Sequence, residues 1–278
     1  MSDSLQRDTA GGSVRGAVNY VGRATERPRF HANDASRDVL DLDTHTVDVA
    51  VARDCTPSLE REGIALVTHR SAVADFRDAA AVGKIHPAEI EGLIGGLSGA
   101  DRVVVSSPGV LRFGEKSPDC GRLDNSRPAR FVHVDVSDPT AAAFAERSRP
   151  KDVDRPVRRF AHYNVWRVLT PPPQDVPLAV CDARSVQPSD LVEADAVFDN
   201  PDQPEWSFEA LVVRFSPRHR WIYFSNMTPD EVLVFKTNDS DPAQPSRVPH
   251  SAFDDPSCPP GAVPRSSLEM RAIAYWFE

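Results

Sequence analysis

The chain has 278 residues, a formal net charge of -9, 40% apolar and 26% charged residues, enough apolar material for one sizeable core. An acidic balance of this size argues against a basic stripe for nucleic acid or an anionic membrane face. No apolar run approaches the ~18 residues of a spanning helix, and the polar start MSDSLQRDTAGGS does not read as a signal peptide.

Twenty-five prolines against three methionines predict rigid turns and few long helices. Residues 1–13 read as a polar, flexible arm. Thr46–Val51 alternates as a strand, and Glu60–His69 carries a second. Ser71–Ala81 reads as a helix capped by Ser71, with Val73, Phe76 and Ala80 on one face. His86-Pro87 then opens a second helix, Ala88–Leu97, with Ile90, Leu93 and Ile94 as its stripe. Gly92, Gly95, Gly96 and Gly99 fall at that helix's end. A phosphate-binding loop lies between a strand and the helix it opens, so a close-packed helix end is the better reading.

Arg102–Ser107 and Val110–Phe113 read as strands, and Ser117–Pro128 as a loop. Ala129–Val136 alternates, which puts His133 and Asp135 on one face. Pro139–Arg147 reads as a short helix capped by Asp138. Beyond Arg158 the chain is strand and turn: Arg159–Leu169, Leu178–Asp182, Phe208–Phe215, Arg220–Phe224, Glu231–Lys236 and Leu268–Phe277. Short strands at this spacing predict a sandwich or barrel. The expectation is a mainly β single domain over 1–278, with an N-terminal α/β elaboration (1–128) and a β core (129–278). Cys55, Cys120, Cys181 and Cys258 are scattered without a C-x-x-C, so a cytoplasmic chain of reduced thiols is expected.

With eight histidines and 41 acidic residues, roughly one His-x-Asp/Glu arises by chance, so His133-x-Asp135 alone says little. Its place on a strand, a later His250, and Arg265-x-Ser267 at the head of the last strand strengthen it. Two imidazoles and one carboxylate on a face are the donor set of non-haem Fe(II) oxygenases, with positions left open for co-substrate and O2. The later arginine suits a bidentate pair with the far carboxylate of 2-oxoglutarate. Plainer readings stand beside these: a core histidine at 133, a solvent-facing Asp135, a loop histidine at 250, and a surface ion pair of Arg265 with Asp254 or Asp255. His162 is the rival ligand, and His219 reads as solvent-exposed.

A wider set of residues carries a resemblance. It comprises Asn164-Val-Trp166-Arg167, Pro177-Leu-Ala-Val-Cys-Asp182, His219-Arg-Trp221 with Tyr223-Phe224, and Met227-Thr-Pro-Asp-Glu231 running into Phe235-Lys236 and Asp239-Ser240. It continues through His250-Ser-Ala-Phe253-Asp and Arg265-x-Ser267-x-Glu269-x-Arg271. Together these resemble the fungal gibberellin-desaturase-like and asperfuranone-type hydroxylase/desaturase proteins, whose bacterial members include the cephamycin-cluster methoxylation protein. The similarity runs from about Asn19 to the C-terminus and is dense after Phe131. It implies a double-stranded β-helix (jelly roll, cupin-like) oxygenase of secondary metabolism using Fe(II), 2-oxoglutarate and O2. Carried over, His133, Asp135 and His250 match the metal positions, and Arg265 and Ser267 the co-substrate clamp. One departure is Ser106-Ser107-Pro108-Gly109, where many members carry a His a few residues before the equivalent of Arg112.

On the substrate side, Arg112, Arg167 and Arg271 suggest a small carboxylate-bearing, amino-acid-like substrate, with structural pairing to Glu269 or Asp182 as the alternative. Trp166 and Phe253 are candidate pocket walls or plain core. A non-catalytic cupin-like accessory protein is the reading from another class. Methyl transfer lacks the alternating βα pattern and Gly-rich loop it needs.

Overall fold

Alternation with a period of two shapes most of the regular structure, and it does so on both sides of residue 128. The structure, a computed structural model, describes residues 12–23 and 25–278; the arm expected at 1–13 lies almost wholly outside them. In chain order the strands are β1 (Ser13–Val21), β2 (Arg29–His31), β3 (Leu42–Val51), β4 (Ile64–Thr68), β5 (Arg102–Val105), β6 (Val110–Phe113), β7 (His133–Val134) and β8 (Val157–Val168). They continue as β9 (Leu178–Cys181), β10 (Leu191–Phe198), β11 (Trp206–Val213), β12 (Trp221–Tyr223), β13 (Glu231–Asp239), β14 (His250–Ala252) and β15 (Ser266–Phe277). The helices are α1 (Ala79–Ser98) and α2 (Asp138–Arg147).

Nine strands form one sheet in the order β1-β3-β12-β9-β14-β7-β11-β10-β2. The second runs β4-β13-β8-β15-β5, with β6 also on β15. The result is mainly β and jelly-roll-like, as expected. Side chains from both sheets meet in one cluster, where Trp166, Leu233 and Phe235 pack with Val180 and Phe224. Pairings cross residue 128 in both sheets: β3 lies beside β12, and β4 beside β13.

The two long strands of the smaller sheet divide their side chains cleanly. On β15, Leu268, Met270, Ala272, Ala274 and Trp276 pack outward with Ile90 and Ile94 of α1. The odd positions, including Ser267, Glu269 and Arg271, therefore turn toward the larger sheet. On β8, Tyr163 and Val165 belong to that outer layer, whereas Asn164 and Trp166 point inward.

The helical segment differs from expectation. One helix, α1, replaces the two expected, and it runs through Pro87. Proline costs ~3 kcal/mol inside a helix, but Val82, Ile90 and Ile94 are buried on the sheet, each contributing about 1.5–3 kcal/mol. Packing outweighs the break. Asp78 is the cap, accepting from the amides of Ala80 and Ala81, while Ser71 instead donates to Glu89. Gly99 closes the helix at φ 64°, a conformation that favours glycine. At α2 the cap is Ser137, one residue earlier than expected. Strands β1, β2, β10 and β14 lie outside the strands expected from the sequence. Among the described residues no helix is long and apolar enough to cross a membrane.

Candidate metal centre and substrate cavity

His133 and His250 stand directly opposite each other on the antiparallel neighbours β7 and β14, with ring centroids 4.1 Å apart. Asp135 follows two residues after His133, where β7 has ended. Each imidazole is oriented by its own chain: Nδ1 of His133 lies 3.0 Å from the Phe131 carbonyl, and Nδ1 of His250 lies 3.4 Å from that of Val248. A carbonyl only accepts, so Nδ1 carries the hydrogen and Nε2 keeps its lone pair. Those Nε2 atoms lie 3.9 and 3.6 Å from Asp135 Oδ1. One ligand atom from each of the three residues falls within 4.8 Å of the others, and all three residues are buried.

The electrostatics suit a divalent cation. Burial, reinforced by His250, pushes the His133 imidazole down to about 3, and burial likewise lowers His250. Burial alone would raise the Asp135 carboxyl, but the Arg271 guanidinium and then the two imidazoles hold it well below the usual range. Two neutral nitrogens and one carboxylate are the donor set of non-haem Fe(II). The residues fit that ion.

Outside the ligands, Asp135 is fixed by three donors. Its Oδ2 accepts from Asn164 Nδ2 at 3.0 Å and from Arg271 Nε at 3.2 Å, and its Oδ1 from Arg271 Nη2 at 3.1 Å. Arg271 also pairs with Glu269, which accepts from Arg112 Nε at 3.1 Å. Burial raises Glu269, yet Arg271 and Arg112 more than offset it. Arg112 Nη1 turns to Asn125 and the Arg127 carbonyl. The result is a chain of alternating charge: Arg112, Glu269, Arg271, Asp135.

Arg265 presents the opposite situation. It is 1% exposed, and among the described residues its Nε and one Nη have no partner. The ion pair with Asp254 or Asp255 does not form; only the Arg265 amide bonds a carboxylate, Asp175 Oδ1 at 2.9 Å. Burial, then the nearby Arg112 and Arg130 cations, lower the guanidinium to about 10. A buried cation with unmet donors is costly unless an anion joins it. Ser267, wholly buried on the same strand face, makes only a long 3.4 Å bond to the Arg112 carbonyl. A dicarboxylate co-substrate fits these free donors.

A cavity of about 490 Å³ opens beside the ligands, within the usual size of a small-molecule site. His133, Asp135, Arg112 and Arg271 reach its inner end. Its walls come from the segment Phe30–Leu42, from Arg127–Phe131, and from Phe198 and Phe208 of the β10–β11 hairpin. Five residues expected on the substrate side are placed as follows. Arg167 points outward with Tyr163 and Val165, bonding the carbonyl and ring of His69 and the carbonyl of Pro229. Phe253 is buried in another cluster, so close to Gly16 that a Cβ there would lie 2.7 Å from its ring. Trp166 lies under the Arg265 guanidinium, 5.7 Å from ring centre to Cζ, and does not line the cavity. Arg112 and Arg271 line it but are already paired with acids.

His162 bonds the Ala141 carbonyl at 3.0 Å and takes no part in the triad. His219 is buried between the Tyr20 hydroxyl and Asp190, contrary to the exposed turn expected. Asn164 and the four cavity phenylalanines went unmarked as site residues. Asn164 was visible in the sequence only as part of the shared motif.

Residues 18–275 match the family described as oxidoreductase/YMDC permease-like domain. The chain is 31% identical over 251 residues to the Fe(II)/2-oxoglutarate-dependent dioxygenase nvfI of Aspergillus novofumigatus, covering 89% of this chain and 82% of that one. It is 30% identical to the hydroxylase/desaturase CTB9 of Cercospora beticola, covering 79% and 72% respectively. A solved structure of the iron and alpha-ketoglutarate-dependent endoperoxidase NvfI superposes with a TM-score of 0.82 at 26% identity, over 96% of this chain and 99% of that one.

Proposed function

The chain belongs to the Fe(II)/2-oxoglutarate-dependent oxygenases of the nvfI and CTB9 kind, enzymes of secondary metabolism, and from that membership we propose which residues do the work. His133, Asp135 and His250 hold Fe(II); Arg265, with Ser267, binds the distal carboxylate of 2-oxoglutarate; a small molecule occupies the cavity beside them. When bound, Fe(II) with 2-oxoglutarate and O2 supplies the oxidant that removes hydrogen from an unactivated C–H bond, with succinate and CO2 as co-products. Hydroxylation, desaturation and oxidative ring closure all begin from that abstraction.

The observation that supports this reading most is the buried, unpartnered Arg265 guanidinium in the same interior as a three-residue ligand set. Each side chain then has a physical task. The Phe131 and Val248 carbonyls aim the imidazoles. Asn164 and Arg271 hold Asp135 Oδ2, and Oδ1, which accepts one bond from Arg271 and faces both histidines, is the metal-binding oxygen. Arg265 fixes the co-substrate as a planar fork rather than a point charge. Phe30, Phe131 and Phe235 surround the imidazoles and limit water there.

The sequence offers Arg112, Arg167 and Arg271 either as partners of a carboxylate-bearing, amino-acid-like substrate or as structural partners of Glu269 or Asp182. Arg112 and Arg271 spend their charge on Glu269 and Asp135, and Arg167 faces the other way, so none of these three supports a substrate carboxylate beside the iron. We treat the whole chain as one catalytic unit, because strands from before and after residue 128 share both sheets. A reducing, cytoplasmic setting suits the four free cysteines, and kinship with the bacterial cephamycin-cluster protein rests on the shared motifs alone. The test is succinate release from 2-oxoglutarate by the Fe(II)-loaded protein. Wild type is expected to release it slowly without substrate, and Asp135→Ala not at all; equal release by both would overturn the assignment.

A further inference from the structure

The cavity beside the ligands sorts its chemistry by depth. Four half-buried phenylalanines form its walls. Phe30 and Phe131 lie 4.8 Å apart on one side, and Phe131 continues to the His133 ring at 5.1 Å. Phe198 and Phe208 stack at 5.4 Å across the β10–β11 hairpin, and Phe198 stacks again on the exposed Trp206 at 4.5 Å. Leu40 and Ala196 fill between them. Charge in the lining is almost all spoken for. Arg112 and Arg271 share Glu269 and Asp135, Arg130 is held by Glu115 and Asp254, and Asp38 pairs with His31.

Among the described residues, Arg127 alone of the cavity's cations has no carboxylate partner. It is nonetheless seated. Its guanidinium passes over Gly121, whose φ of 72° and missing Cβ leave the room: a Cβ there would lie 2.6 Å from Arg127 Nη2. Arg127 follows the loop Ser117–Ser126 in sequence, away from the strands that bear the ligands. The position offers one exposed positive charge without a carboxylate partner among the described residues, at the solvent side of a cavity whose other charges, Arg130, Glu115 and Asp38 among them, are already paired.

We propose that the substrate has an apolar, ring-sized body that lies between the two phenylalanine pairs, and a single anionic group at its outer end that pairs with Arg127. The end that enters first, and meets the iron, is the apolar one. This rests on the oxygenase reading above, because it takes the His133–Asp135 end as the reacting end. Aromatic walls favour flat or fused rings by stacking and edge contacts, and a guanidinium recognises a carboxylate, sulfonate or sulfate by paired hydrogen bonds.

Two fluorescent probes that differ in one charge test it: 1-anilinonaphthalene-8-sulfonate and the neutral N-phenyl-1-naphthylamine. Both are titrated into the Fe(II)- and 2-oxoglutarate-loaded protein without oxygen. Arg127→Gln should weaken the sulfonate about fivefold to tenfold, the scale of a charge-assisted hydrogen bond, and leave the neutral probe unchanged. Phe208→Ala should weaken both by about tenfold; Phe208→Leu, which keeps the apolar volume of the hairpin, should fall between, with thermal melts reporting that each variant is folded. Sulfonate affinity unaffected by Arg127→Gln, or neutral-probe affinity unaffected by both Phe208 changes, overturns the proposal. The charge-transfer band of the bound Fe(II) and 2-oxoglutarate separates the two readings. Its absence in wild type counts against the oxygenase site, while a normal band with probe affinities indifferent to these substitutions counts against the substrate class alone.

Discussion

At the inner end of the cavity Arg112, Glu269, Arg271 and Asp135 pair with one another in a largely buried network, whereas toward the mouth phenylalanines stand beside the separate pairs Arg130–Glu115 and His31–Asp38. The inner end takes its parts from facing sheets: two imidazoles from β7 and β14, and Asn164, Glu269 and Arg271 from β8 and β15. All are rigid strand positions, and Asp135 alone accepts three hydrogen bonds. The mouth is made of β2, the turn after it, the loop before β7 and the β10–β11 hairpin, and the apolar part of its wall is phenylalanines that touch only by packing. A reaction common to a family needs the same atoms in the same places, so the inner end is built by hydrogen bonds of fixed direction. Substrate choice needs shape, and non-directional apolar contacts in turns and edge strands supply it.

The comparison predicts that damage at the two ends differs in kind. The largest effect belongs to the ligands. Replacing His133, Asp135 or His250 with alanine should each abolish succinate formation, a loss beyond about a thousandfold, and leave less than one Fe(II) bound per chain by metal analysis. Next comes Arg265→Lys, expected to raise the 2-oxoglutarate needed for half-maximal succinate release by about a hundredfold, since an ammonium cannot make two parallel bonds to a carboxylate. An unchanged requirement would move the clamp elsewhere. Asn164→Ala should then weaken Fe(II) binding by about tenfold in anaerobic titration, because it frees one side of Asp135 without touching a ligand.

Arg167→Gln sharpens the contrast from outside. It should lower the melting temperature while leaving metal and 2-oxoglutarate affinities as they are, since its partners are His69 and Pro229 on the outer layer. An affinity change at the site would mean that the outward face of β8 matters to chemistry.

The smallest expected effect is a slope with pH. Burial lowers the His162 imidazole to about 4, so the folded chain keeps it neutral while the unfolded chain protonates near 6.5. Its contribution to stability is full above pH 6.5 and declines as pH falls from there toward 4, by about 1.4 kcal/mol per unit. Urea denaturation of the metal-free protein at several pH values should show stability falling through that range, with the buried His133 and His250 adding to the slope, and His162→Gln should make it shallower.

The same contrast explains what could be read from the sequence. The His133-x-Asp135 pair, the later His250 and Arg265-x-Ser267 were legible because the period of two places such side chains on one face whatever the surrounding fold. That rule, applied to β8, would also have turned Arg167 away once Trp166 was taken as inward. The paired state of Arg271 was not legible, because Glu269 and Asp135 meet it only when two sheets close on each other. The cavity walls were hidden for a different reason. Strand β2 has three residues, and it joins the cavity wall through its parallel pairing with β10, about 166 residues away in sequence. Pro87 misled in the opposite direction: a local breaker was overruled by burial of the helix on β15.

The most direct test of the central claim is an anaerobic titration of the purified protein with Fe(II) and 2-oxoglutarate, followed by visible absorption. A weak charge-transfer band should appear only when both are present, saturate at one equivalent of each, vanish in Asp135→Ala, and require far more 2-oxoglutarate in Arg265→Lys. A band of full strength in Asp135→Ala, or none in wild type with both components in excess, would contradict the account.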